Sequence, residues 1–142
     1  MKLDNLMTEF TLIKRLPTVE EIKSFHTAVG WDNVDDDATA VALKNSLFGC
    51  VVLHEGRAIG CGRVIGDGGM YFYIQDIVVL PEYQGRGIGK LIMNEVMNYI
   101  NSAAKPNAFI GLMSAKDKAG FYVKFGFAER PPGRPGMFRV WK

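Results

Sequence analysis

Three glycines at alternate positions interrupt the segment Gln84-Gly85-Arg86-Gly87-Ile88-Gly89-Lys90, just before a long amphipathic stretch. The opening turn of a helix presents N–H groups without intrahelical acceptors and a partial positive charge, so it binds anions. Glycines there remove the side chains that would hold a diphosphate away from those donors. Each glycine in a helical turn costs roughly 1 kcal/mol relative to alanine, so three together point to a purpose other than stability. Arg86 and Lys90 add positive charge where phosphate would lie. The dinucleotide pattern G-x-G-x-x-G fails, because Lys90 stands at its last glycine. The P-loop pattern fails as well, with Gln84 at its first glycine and Leu91 after the lysine. What remains is Q-x-x-G-x-G behind an apolar strand that stops at Pro81.

Asp76 lies on that same strand. In a regular strand it alternates with Ile77 and shares a face with Ile74 and Val78, where burial would raise its pKa. So placed, it reads as a general base, or equally as a structural aspartate hydrogen-bonded to a loop; a water-relayed proton path competes with both. Arg63, in an apolar strand of its own, needs a partner if buried, and Asp67 or Asp76 would serve. A pairing with Asp76 would lower that carboxyl's pKa and weaken it as a base. His26 and His54 are isolated, His26 reads as a surface residue, and Cys50 and Cys61 read as small buried hydrophobes without a disulfide. No Cys/His spacing suits a metal, and no Ser/His or Cys/His arrangement suits a nucleophile.

The elements that must position these residues are legible from periodicity and turn signals. A first strand is expected at residues 9–14. A helix then opens at Thr18, where Glu21 completes a capping box, and ends at Gly30. Acidic residues 35–37 precede a short helix at 38–43. Strands at 50–53 and 58–65 flank the turn His54-Glu55-Gly56-Arg57, and Gly66-Asp67-Gly68-Gly69 makes a second turn. The run 71–80 is the most β-prone of the chain. Apolar residues at 88, 91, 92, 96, 99 and 100 mark one face of a helix over 87–100. A strand at 108–113, a helix at 116–125 and closing strands at 127–130 and 137–141 complete the order. The pattern predicts an α/β (α+β) sandwich, with one mixed, mostly antiparallel sheet covered by helices on both faces.

The 142 residues fit one domain, residues 1–142, and the composition, 48% apolar and 23% charged, is that of an ordinary globular chain. A formal charge of +2, from 17 basic and 15 acidic side chains, argues against nucleic acid as the partner. Residues 1–10 hold no apolar run of signal-peptide length, and no stretch reaches the roughly 18 apolar residues of a membrane span. The chain reads as cytoplasmic, without membrane or metal.

The Q-x-x-G-x-G motif between strand and helix resembles the coenzyme-A motif of the GNAT acetyltransferase superfamily, and the resemblance covers most of the chain. It implies a GNAT-like fold, acetyl-CoA as cosubstrate, and N-acetylation by direct transfer in a ternary complex, which needs no protein nucleophile. It places Gln84, Gly85, Arg86, Gly87, Ile88, Gly89 and Lys90 against the phosphates. Main-chain groups of Ile77, Val78 and Val79 would pair with the pantetheine arm like an added strand. The second signature of the family is similar to Phe121-Tyr122-Val123-Lys124-Phe125-Gly126-Phe127. On that match Tyr122 protonates the leaving thiolate, unless it only packs beside Phe121 and Phe125. Phe121, Ser114 and Lys118 would line the cofactor, and Phe25 and Trp31 the acceptor site. The family often carries a glutamate earlier on the motif strand, where this chain has Tyr73. A narrower likeness to plant-type serotonin N-acetyltransferases rests on Gly62-Arg63, Asp76-Ile77-Val78-Val79 and Gly136-Met137-Phe138. Aromatics near Trp31 favour a small-molecule primary amine as acceptor; a protein lysine or N-terminal amine, a homodimer, and a binding module that has lost its chemistry stay open.

Overall fold

The computed structural model describes residues 9–142. The stretch at 1–8, read above for an apolar leader, lies outside the described residues. In chain order the elements are β1 (Phe10–Ile13), α1 (Val19–Ala28), α2 (Asp36–Lys44), β2 (Phe48–His54), β3 (Arg57–Gly66) and β4 (Tyr71–Val79). A 3-10 turn (Pro81–Tyr83), α3 (Ile88–Ala103), β5 (Phe109–Leu112) and α4 (Ala119–Val123) follow. The strands form one sheet in the order β1-β2-β3-β4-β5. All neighbours are antiparallel except β4 and β5, which run parallel.

Local chemistry explains the boundaries. Thr18 Oγ1 accepts from the Glu21 N–H at 3.1 Å and Glu21 Oε1 accepts from the Thr18 N–H at 2.9 Å, the expected capping box. Arg15 grips both oxygens of the same Glu21, at 2.8 and 3.0 Å. Asp35 caps α2 through the Ala38 N–H. Between β3 and β4, Asp67 Oδ1 accepts from the N–H groups of Tyr71, Gly69 and Met70, which together hold its carboxyl below the usual range. That carboxylate is spent on its own turn and is no partner for Arg63.

The decisive irregularity lies between β3 and β4. Cys61 pairs with Val78 and Arg63 with Gln75, so Gly62 alone faces both Asp76 and Ile77. This is a β-bulge, with Asp76 at a left-handed φ of 55°. The extra residue resets the alternation of β4. Phe72, before the bulge, faces α3, its ring 6.5 Å from that of Tyr99. Ile77, after it, faces α3 too: a methyl built on Gly62 would lie 2.8 Å from Ile77 Cδ1 and 2.7 Å from Ile92 Cγ2. Asp76 points the other way, to His26 of α1. The expected sharing of a face by Asp76 and Ile74 is therefore wrong, because a regular alternation cannot foresee an inserted residue.

Helices cover both faces. On one, α3 buries Ile88, Ile92, Met93, Val96 and Ile100 against β2, β3 and β4. On the other, Ile22 and Phe25 of α1 enter the core. Phe25 is 1% exposed, so it is a core residue and not a wall of an acceptor site. Two further corrections concern the end of the chain. The helix expected at 116–125 is shorter, because Asp117 sits at a left-handed φ of 61° and holds its start to Ala119. The strands expected at 127–130 and 137–141 are absent. β-propensity expresses itself only against a partner strand, and these segments, split by Pro131, Pro132 and Pro135, pair with none.

The close seat of α3 on β3 gives a test. Gly62→Ala forces a methyl against Ile92 and Ile77. Overpacking of this kind costs about 1–3 kcal/mol, to be read as a lower urea midpoint. An unchanged midpoint would show that the helix does not sit so close.

Candidate active site

The bulge also ends the pairing of β4 with β5. Their parallel register runs from Tyr71 and Phe109 to Ile74 and Leu112. Beyond it β4 continues to Val79, bonded to β3 along one edge and unpaired by β5 along the other. Ile77, Val78 and Val79 thus offer main-chain groups to an extended ligand, as an added strand would use them.

That free edge runs into the glycine segment. Gly85 and Gly87 have φ of 79° and 83°, values that only glycine adopts without strain. Gly87 is the N-cap of α3 and supplies no side-chain cap, so the first-turn N–H groups lack an acceptor from their own cap. Gln84 turns back, its Nε2 donating to Val79 O at 3.0 Å, and so ties the loop to the strand end. Tyr83 ties the loop from the other side: its phenol lies 2.7 Å from His54 Nδ1, and Arg86 stacks over its ring at 5.3 Å. Arg86 and Lys90 are exposed. Ile88 is 2% exposed, so only its backbone N–H faces the loop; the side chain is core. A Cβ at Gly89 would lie 3.6 Å from Phe121 Cζ, which brings α4 against the start of α3. Free strand edge, uncapped helix start and flanking cations fit a pantetheine arm followed by a diphosphate.

The second feature is a buried charged cluster at the bulge. Asp76 is 5% exposed. Its Oδ1 accepts from His26 Nε2 at 2.7 Å and its Oδ2 from Arg63 Nε at 2.7 Å; Arg63 Nη1 also donates to Ser46 Oγ at 3.0 Å. Burial works to raise the Asp76 carboxyl, but the hydrogen bonds from His26 and Arg63, with the Arg63 charge, outweigh it, and the group stays below the usual range. The raised pKa expected from burial is thus reversed by two partners that sequence order keeps far apart.

His26 is the residue that sequence reasoning placed wrongly, on the surface. It sits four residues after Ile22, on the buried stripe of α1, and that spacing was the available signal. Nε2 is engaged by Asp76, and Nδ1 is buried without a partner among the described residues. Trp31 is 38% exposed, its ring 5.5 Å from that of His26. A cavity of about 100 Å³ between α1 and α2 is lined by Ile22, Val34 and Thr39 and reaches His26, Arg63 and Asp76.

Tyr122 lies on α4, 9% exposed, with its phenol pKa raised by burial. It lines a cleft of about 640 Å³ between β5 and α4. Ser114 borders the same cleft but spends its hydroxyl on Ala115 O; Lys118 is exposed at the N-cap of α4. The two thiols are free and buried, Cys50 pushed up to about 12 and Cys61 well above its ordinary value, both by burial first. Neither is a nucleophile.

A bare strand edge that feeds an uncapped, glycine-rich helix start is the build of an acyl-coenzyme-A-dependent transferase. The sequence model of the acetyltransferase (GNAT) domain matches residues 45–129. An uncharacterized N-acetyltransferase, ycf52, of Porphyra purpurea is 30% identical over 83% of this chain and 69% of its own length. A histone acetyltransferase, TAP1, of Glycine max is 31% identical over 84% of this chain and 56% of its own. Among solved structures, a probable acetyltransferase, SA2161, of meticillin-resistant Staphylococcus aureus superposes with a TM-score of 0.87. It is 35% identical and covers 93% of this chain and 99% of its own. The chain belongs to the GNAT acetyltransferase family and is an acyltransferase, and the family implies acetyl-CoA as donor.

Two outcomes follow from this geometry. Coenzyme A at a hundredfold excess over its dissociation constant should stabilise the protein by about 2.7 kcal/mol, seen as a higher melting temperature. Gly89→Val should abolish the shift and keep the fold, since that position has room; Gly87→Val is the poorer probe, because a φ of 83° strains valine. Asp76→Ala leaves Arg63 without its carboxylate and should cost about 3–5 kcal/mol. Because the folded pKa of Asp76 is depressed, its contribution is present above the unfolded value, about 3.9, and is lost as pH falls through the folded one. Acid titration of stability should therefore be steeper in the parent than in Asp76→Ala.

Proposed function

We propose that the chain acetylates the primary amine of a small molecule by direct transfer in a ternary complex. The observation that carries this reading is the unpaired edge of Ile77, Val78 and Val79, continuous with the glycine start of α3. Main-chain groups of those three residues hold the pantetheine arm, and the N–H groups of Ile88, Gly89 and Lys90 hold the diphosphate. Gly85 and Gly87 shape that cradle and Gln84 anchors it, while Arg86 and Lys90 supply charge. Phe121 packs beside Gly89, and Ser114 and Lys118 stand at the rim. When bound, acetyl-CoA supplies the activated acyl group.

An alkylamine is almost wholly protonated at pH 7, so a proton must leave before nitrogen attacks. Asp76, held below the usual range by two partners, is a poor acceptor. We assign the proton instead to the His26 imidazole, which borders the cavity between α1 and α2 and is held by Asp76 through Nε2; imidazole is the side chain suited to proton exchange near neutrality. Trp31, against the His26 ring, is an aromatic wall for the amine. Tyr122, its proton retained by a raised pKa, is the general acid for the departing thiolate. The 100 Å³ cavity beside the cluster suits a small amine better than a peptide segment.

A protein amine is the second reading, favoured by the likeness to a histone acetyltransferase. Thiol release from acetyl-CoA, measured across small amines and histone peptides, separates the two. Turnover only with peptides would overturn the first reading, and none with any amine would leave a binding module.

Tyr122→Phe should lower turnover at least tenfold with acetyl-CoA affinity nearly unchanged, the mark of an interaction made in the transition state. His26→Gln should lose on the order of 10² in turnover. Raising the pH should partly rescue it, because more amine then arrives neutral. A His26→Gln enzyme with the parent rate and pH profile would remove His26 from the proton path.

A further inference from the structure

We propose that the acceptor is a small amino acid, carrying a carboxylate beside its amine, and that Arg63 is the residue that selects it. The inference rests on the small-amine reading above and narrows it by charge. The cavity between α1 and α2 is bordered by three titratable side chains, His26, Arg63 and Asp76. Apart from Thr39, its remaining walls are apolar, Ile22, Val34 and Leu43 among them. The three titratable side chains are 15%, 13% and 4% exposed in that order, so charge here is poorly hydrated.

In such a place an unbalanced charge costs far more than a balanced set. Before the acceptor arrives the set balances: the Arg63 guanidinium faces the Asp76 carboxylate, and the imidazole, as a base, starts neutral. A simple ammonium brings one positive charge too many. Passing its proton to His26 only moves that surplus onto the imidazolium, close to Arg63. An amino acid enters as a zwitterion and adds no net charge. Once its proton is on His26, two cations, Arg63 and the imidazolium, face two anions, Asp76 and the acceptor's carboxylate. The cluster is thus neutral before and after the proton moves. The rest of the transfer is as for any amine. The nitrogen–carbon bond forms and the carbon–sulfur bond breaks. Tyr122 gives its proton to the departing sulfur and is reset by the second nitrogen proton, while His26 releases the first to solvent.

Arg63 has donors left for that carboxylate. A guanidinium offers five N–H groups in a planar fork suited to carboxylates. Nε donates to Asp76 and Nη1 to Ser46, and among the described residues Nη2 has no acceptor. Acidic residues at the start of α2 do not reverse the preference. Asp35 caps that helix, Asp36 pairs with Lys23 at 2.9 Å, and Asp32 and Asp37 stand exposed. Solvent and salt screen all four. The cavity volume, about 100 Å³, and its apolar walls limit the acceptor to a short apolar side chain.

Thiol release from acetyl-CoA should be compared for alanine and valine, for their amides, and for ethylamine and isobutylamine. The amides keep the shape and lose the charge; the simple amines lack the group altogether. The acids should show kcat/KM about tenfold or more above both other series. Amides hold more of their amine neutral at pH 7 than the acids do, so amine basicity cannot produce that order. Arg63→Gln should reverse the order, because the cluster then lacks one cation and a bare ammonium restores the balance. An Arg63 that only supports the fold would lower all three series alike, and that outcome overturns the proposal. A parent that turns over the amides or the simple amines as well as the acids overturns it too, and leaves the small-amine reading standing. The parent comparison needs no variant, so it decides even where Arg63→Gln fails to melt cooperatively. Thiol release with none of the three series removes both readings.

Discussion

One extra residue in β4 governs the site. Because Gly62 faces both Asp76 and Ile77, the strand changes its alternation in mid-course. Three results follow from that single insertion. The carboxylate of Asp76 is delivered to the α1 face, the apolar side chain of Ile77 takes its place against α3, and pairing with β5 is not resumed beyond Ile74. A regular strand would have buried an aspartate on the α3 side, toward Ile92 and Val96. The bulge is itself secured, for the Cys61 thiol donates to the Asp76 carbonyl at 3.3 Å. A left-handed φ at an aspartate is mildly costly but tolerated better than at most side chains.

The side chain so delivered joins three elements. Asp76 of β4 binds His26 of α1 and Arg63 of β3, and Arg63 reaches Ser46, between α2 and β2. A buried ion pair is weak evidence for net stability, because desolvation offsets its attraction. Its directional bonds do fix where α1 lies on the sheet. They also orient an imidazole with one nitrogen committed and the other free. Structure and chemistry share one group here: the carboxylate that positions the helix is the one that holds the histidine ring.

Much of this was legible in the sequence, for reasons that mark the limits of such reading. The glycine segment was readable as an uncapped helix start because such a start depends on consecutive residues alone. The capping box at Thr18 and Glu21, and the apolar stripe of α3, are equally local. The bulge was not, since the run from Tyr71 to Val79 is uniformly β-prone and its register is set by β3. The Asp76–His26 pair spans fifty positions and a change of face. Phe25 was assigned to the acceptor wall by resemblance, although its place on the α1 stripe already argued for the core. At the chain end, propensity described the segments correctly as strand-like, but a strand is a property of two segments.

The tether between Tyr83 and His54 has a consequence for how tightly a ligand is kept. His54 ends β2 opposite Phe10 of β1, and Phe10 meets the Tyr83 ring edge-on at 6.0 Å. The loop ahead of α3 is thus ordered by the far border of the sheet, before any phosphate arrives. Ordering a mobile side chain on binding costs about 0.5–1.5 kcal/mol, and here that entropy is surrendered during folding instead. The approach to α3 is therefore coupled through Tyr83 and His54 to β1, and loosening β1 would free the loop before it unfolded the protein.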